Sequence, residues 1–339
     1  MPEPQVDLVQ ALFVAGALLL SISTGFYLII RSSRGSTLRY EPRRPVPWGL
    51  VACSLAAFSL FSAFYAAWEK LSPPETTAPA AEAAQPEAQV QEDLSAGAAG
   101  QIVVIVFITV GFVFIIAMLY EATPRDLGLP VSVQQFARDA FIGAVACVAA
   151  LAPVHLLQVT LRYLLQMEQR KSGHDLIKML TEGEPNVTLL VVATVLAVIV
   201  APLCEELTFR LLLQGWLEKW EDQLLGWRPP SLRVMSAIEG PEPEVSIEPP
   251  LEQHPPTDPP EHGLGGLPYG WTPIVVSAAV FGLAHLGYGP EPVPIFVLGL
   301  FLGYVYQRTH RIAPSIVCHA LFNLFTVSQI WWMYFCGKR

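Results

Sequence analysis

Residues 201–216, "APLCEELTFRLLLQGW", place two adjacent glutamates and an arginine directly after an apolar run that reads as a membrane span. Ionisable side chains inside or beside a span are costly unless paired or hydrated, so Glu205, Glu206 and Arg210 are functional candidates by position alone. In a helix, Arg210 lies one turn beyond Glu206 and can form an i,i+4 ion pair with it, while Glu205 projects about 100° away. Glu206 is then neutralised and Glu205 is left over. A leftover carboxylate in poorly hydrated surroundings gives up its proton less readily and can take and return one near neutral pH, which is the property of a general base. A simpler reading puts all three charges in headgroup water at the cytoplasmic end of a helix.

The rest of the chain supports a membrane setting. Of 339 residues, 53% are hydrophobic and 14% charged, with a mean hydropathy of +0.44, which excludes an ordinary soluble domain. The net charge of −9 comes from two acidic segments, 69–93 and 239–261, without which it is about +3 by the same count. Neither a nucleic-acid partner nor an acidic core is expected. Cys53, Cys147, Cys204, Cys318 and Cys336 lack CxxC or Cys/His spacing and mostly fall in apolar segments, so buried thiols are expected rather than disulfides or a zinc site. The opening "MPEPQVD" lacks a basic n-region, so the apolar segment after it reads as a retained first helix, and the ending "FCGKR" is not a prenylation box.

Taking about 20 apolar residues per span, candidates lie near 8–30, 48–68, 102–121, 137–157, 187–203, 271–287, 292–307 and 312–334. The fold class expected is all-α, a polytopic transmembrane bundle of about eight spans. Five arginines between the first two spans, in "RSSRGSTLRYEPRR" (31–44), make that connection cytoplasmic. The domains follow: two spans in 1–71, a disordered Ala/Pro/Glu linker at 72–100, two further spans and a connection in 101–186, and a core at 187–335. The core is interrupted at 228–268 by a proline-rich insertion expected to be disordered.

Two more polar clusters lie in the core. In "SAAVFGLAHLGYG", His285 sits four residues after Phe281, inside an expected helix. In "IAPSIVCHALFNLF", His319 and Asn323 share one helical face and offer two directed donors suited to a developing oxyanion. The order EExxxR (Glu205, Glu206, Arg210), FxxxH (Phe281, His285) and HxxxN (His319, Asn323) on successive apolar segments resembles the CPBP family, the CAAX proteases and bacteriocin-processing enzymes also called Abi. Its eukaryotic members include the Ras-converting endopeptidases, which remove the last three residues of prenylated proteins.

The resemblance covers about 187–335 and implies a glutamate-dependent intramembrane protease with no cofactor. It implies that Glu205 with His285 activates water and that His319 with Asn323 holds the oxyanion, supported by Glu206, Arg210 and Phe281. The implied partners are the lipid bilayer and a peptide or protein substrate, and the implied location is integral in a membrane, the inner membrane if bacterial. The insertion and the segments up to about residue 180 depart from the family.

Straight helices leave a mismatch of depth, because Glu205 ends the fifth span whereas His285 lies about 14 residues, roughly 21 Å, into the sixth. A break at Pro202 would resolve it, freeing 203–220 as a separate segment, with Pro273 and Pro314 bending their own helices. Two other readings stay open. One is a zinc metallopeptidase using Glu205, His285 and His319, which Arg210 opposes and which lacks HExxH. The other is a non-enzymatic scaffold or immunity-type protein held by a polar cluster.

Overall fold

The computed structural model describes residues 8–33, 37–41, 46–58, 62, 87–165, 187–227, 260–286 and 290–336. Among these there are helices and no strands, apart from one isolated bridge between His262 and Pro268. The helices are α1 (Leu8–Ser32), α2 (50–58), α3 (Glu87–Leu119), α4 (Val133–Leu164), α5, α6 (Trp271–Leu283), α7 (Pro292–Thr309) and α8 (Ile312–Cys336). Helix α5 is assembled from Val187–Val195, Leu196–Val200, Ala201–Glu206, Leu207–Gln214 and Gly215–Leu225, which follow one another without a gap. The second and fourth of these stretches are π-helical.

Four of these helices are long and apolar enough to cross a bilayer: α1, α4, Leu190–Leu225 of α5, and Ile312–Phe335 of α8. The apolar part of α3, Val103–Leu119, and α6 are shorter. Large apolar side chains of α1 such as Leu12, Leu19 and Phe26 are exposed, as a lipid-facing helix requires.

Three expectations need correction. Helix α3 begins at Glu87, inside the stretch 72–100 expected to be a disordered linker; residues 72–86 lie outside those described. Ala, Glu and Gln are good helix formers, and the apolar run downstream supplies the packing that propagates the helix back through them.

Pro202 does not break the chain either: it sits in the first turn of the α-stretch Ala201–Glu206, and helical backbone continues on both sides. The π turn before it loosens the contact between the proline ring and the preceding carbonyls that would otherwise kink the helix. Pro273 and Pro314 occupy the third positions of α6 and α8, where the missing N–H has no intrahelical partner in any case.

Finally, residues 260–268, the end of the expected disordered insertion, form an ordered turn. Glu221 accepts from the N–H groups of Leu264 (3.3 Å) and Gly270 (3.0 Å), and Tyr269 donates to Asp222 at 2.6 Å. Residues 228–259 lie outside those described.

The depth mismatch disappears for a different reason than a break. Glu205 is near the middle of the 36-residue helical stretch Leu190–Leu225, and α6 has only 13 residues. His285 therefore lies just past the end of α6, in a turn (284–286), and not inside a full-length span.

Helix α4 packs against α1, α7 and α8, while α6 packs against α7 and the second π stretch. Gly143 lets α4 and α8 meet, since a Cβ there would stand 2.5 Å from Pro314 O. The core between them holds Cys147, Cys204, Phe209, Phe281, Leu302 and Cys318. Cys53, Cys147, Cys204 and Cys318 are buried free thiols.

Candidate active site

The two π stretches give α5 its polar chemistry. A π turn carries each N–H one residue further back, so carbonyls of the preceding turn are left for side chains to bond. Three carbonyls of these stretches receive side chains, Leu212 O in addition to the Gly215 N–H. Asn323 Nδ2 donates to Ala197 O at 2.8 Å, Ser277 Oγ to Phe209 O at 2.8 Å, and Trp48 Nε1 to Leu212 O at 3.2 Å. Helices α8 and α6 and the segment before α2 are thereby pinned to α5 around Glu205.

Glu206 and Arg210 are both fully buried, with Arg210 Nε 3.2 Å from Glu206 Oε2. Arg210 also donates from Nη1 to Ser277 Oγ at 3.1 Å, and its guanidinium lies 4.8 Å from the centre of the Phe281 ring. A buried charge needs this density of partners. The second oxygen of Glu206, Oε1, lies 3.0 Å from His319 Nδ1. A carboxylate accepts, so Nδ1 carries the proton and donates.

His319 Nε2 is consequently turned toward Glu205, 3.8 Å from Oε2. Glu205 is the wet member of the pair: its side chain keeps 13% of its exposure, against none for Glu206. Arg210, Glu206, His319 and Glu205 thus form one chain of contacts, in which the buried half fixes the exposed half.

Phe281 is the apolar hub. Its ring centre lies 5.2 Å from that of His285 and 5.7 Å from that of His319, nearly perpendicular to both. His285 Nδ1 faces its own helix at Phe281 O, 2.9 Å away. Among the described residues, neither His285 nor Asn323 makes a hydrogen bond or ion pair with Glu205. The structure therefore brings Glu205, Glu206, Arg210, His319 and Phe281 together, sets His285 across the Phe281 ring, and sends Asn323 to a backbone carbonyl. No three His, Cys, Asp or Glu side chains converge as a metal site among the described residues.

Motif reading passes over Ser277, yet Ser277, Phe281 and His285 recur every four residues along α6 and the turn that follows it, a signal present in the sequence. His155 of α4, 5.0 Å from the Phe322 ring, carries no such signal.

Residues 187–238 and 262–325 match the family model described as Type II CAAX prenyl endopeptidase Rce1-like. Over these two segments the chain is similar to that family. The unmatched residues between the two segments fall within the proline-rich insertion, and every residue of the three motifs lies inside the match. No curated protein and no solved structure matches the chain. An Rce1-like core on helices able to cross a bilayer points to a membrane protease of the CAAX type, with the lipid bilayer as its surroundings.

Proposed function

We propose that this protein is a multi-pass endopeptidase, of about eight crossings, that hydrolyses a peptide bond in or near the membrane with water activated by Glu205. The observation that carries this is His319 bridging the two adjacent glutamates, with Nδ1 on buried Glu206 and Nε2 facing the more exposed Glu205. A carboxylate and an oriented imidazole on either side of one small space suit a water molecule that must lose a proton as it attacks.

In this scheme Glu205 takes the proton as the water oxygen bonds to the scissile carbonyl carbon. The proton then passes to the leaving amine as the C–N bond breaks, so no covalent enzyme intermediate forms. Glu206 and Arg210 hold His319 in one tautomer. His285 completes the water-activating side across Phe281. The family roles would give the oxyanion to His319 and Asn323, but His319 Nε2 donates there only as the imidazolium, and the Asn323 amide is engaged by Ala197 O. A prenylated C-terminal peptide is the substrate class taken from the family description. The site is integral to a membrane, the inner membrane if the protein is bacterial.

The test is cleavage of a peptide library by detergent-purified wild type, Glu205→Gln and His285→Ala. The scheme expects Glu205→Gln to lose about 10²–10⁴-fold in rate with the fold retained, and His285→Ala to lose activity. Identical cleavage by all three would sink it, and a scaffold would tolerate Glu205→Gln. Unchanged activity in strong chelator removes the zinc reading; loss restored by zinc would favour it.

A further inference from the structure

We infer that Asn323 is a positioning residue that supplies the donor Pro202 lacks, tying α8 to α5 so that His319 meets both glutamates. Ala201 N–H reaches back to Leu196 O, five residues away. The next residue, Pro202, has no N–H to continue the ladder. Ala197 O, the acceptor that a continued π ladder would use there, receives the Asn323 amide at 2.8 Å. Proline and asparagine thus act as one device across two helices.

What the device fixes follows from spacing. Asn323 lies one turn after His319 on the same face of α8, and Ala197 lies about two turns before Glu205 on α5. A bond between them sets the register of α8 along α5. On that register depend the 3.0 Å contact of His319 with Glu206 and its 3.8 Å approach to Glu205. The amide works through His319, whereas the oxyanion role requires it to touch substrate, and the two assignments differ in what Pro202 does to them.

Replacing Pro202 by alanine restores an N–H. Ala197 O is then satisfied by the backbone, either by residue 202 in a π turn or by Ala201 in a relaxed α turn, and the Asn323 amide becomes dispensable. The experiment is a double-mutant cycle on the full-length chain in detergent, comparing wild type, Pro202→Ala, Asn323→Ala and the double variant by melting temperature and by kcat/KM.

In the wild-type background Asn323→Ala is expected to lower the melting temperature by about 2–4 °C and kcat/KM by about tenfold or more. In the Pro202→Ala background both losses shrink to less than half. Equal losses in both backgrounds would overturn the inference and leave Asn323 acting directly on substrate. Asn323→Leu keeps roughly the same shape without the N–H, so it should melt like Asn323→Ala, and wild-type melting would also overturn the inference, even if Pro202→Ala fails to fold. The kinetic arm rests on the peptidase reading; if wild type cleaves nothing, that reading fails while the melting cycle still decides this one.

Discussion

Glu205 and Glu206 are neighbours with opposite surroundings, and the difference sets what each substitution does. Glu206 is fully buried between Arg210 Nε and His319 Nδ1. Removing its charge strands a guanidinium inside the bundle, a situation that typically costs about 3–5 kcal/mol. Glu206→Gln is therefore expected to lower the melting temperature markedly and to lose activity with it. Arg210→Lys fares little better, because a lysine lacks the planar group that reaches both Ser277 and the Phe281 face. Glu205→Gln, at the more exposed position, should leave melting almost unchanged while abolishing cleavage. Thermal melts of the three variants check this division, and equal destabilisation by Glu205→Gln and Glu206→Gln would refute it. The i,i+4 spacing made the ion pair legible in the sequence. The third member, His319, comes from 113 residues away, and the HxxxN spacing that singles it out does not pair it with Glu206.

At the scale of elements, the apolar runs told where most helices lie because hydrophobic length is a property of the run itself. They did not tell how α5 passes through Pro202. A proline in an apolar helix reads as a break, but with π turns on either side and side chains from three other segments bonding its carbonyls the helix continues. Those donors are separated in sequence from the carbonyls they serve, so no window along the chain contains both. The same holds for the contact of α4 with α8, which places His319 and Asn323. Gly143→Val would push a side chain into Pro314 O, at 2.5 Å, and Val317 Cβ, at 2.9 Å. It is expected to lower both melting temperature and kcat/KM without touching a charged residue. Gly111→Val on α3, where a Cβ meets nothing within 4 Å, is the control expected to behave like wild type in both measurements.

Across the whole molecule, the unmatched insertion raises the question of whether the Rce1-like core needs it. The described residues on its two flanks are joined without it. Trp227, before it, lies 5.4 Å from Tyr269, after it, ring centre to ring centre. Glu221 and Asp222 at the end of α5 hold the turn that leads into α6. That turn ends at Gly270, whose φ of +82° favours glycine and whose Cβ position is filled by the Gln307 side chain of α7. The entry of α6, and so the placement of Ser277, Phe281 and His285, is set by this clasp. Replacing residues 230–258 by a short Gly/Ser linker shortens the loop about fourfold, which alters closure by only about 1 kcal/mol, in the favourable direction. The shortened protein should therefore keep its melting temperature and its cleavage of short peptides. Glu221→Ala, a single change that leaves the insertion whole, should lower both, because two backbone N–H groups lose their acceptor and α6 its anchor. If excision abolishes cleavage of a short peptide while Glu221→Ala does not, the insertion contributes to the reaction itself and the clasp does not set the site.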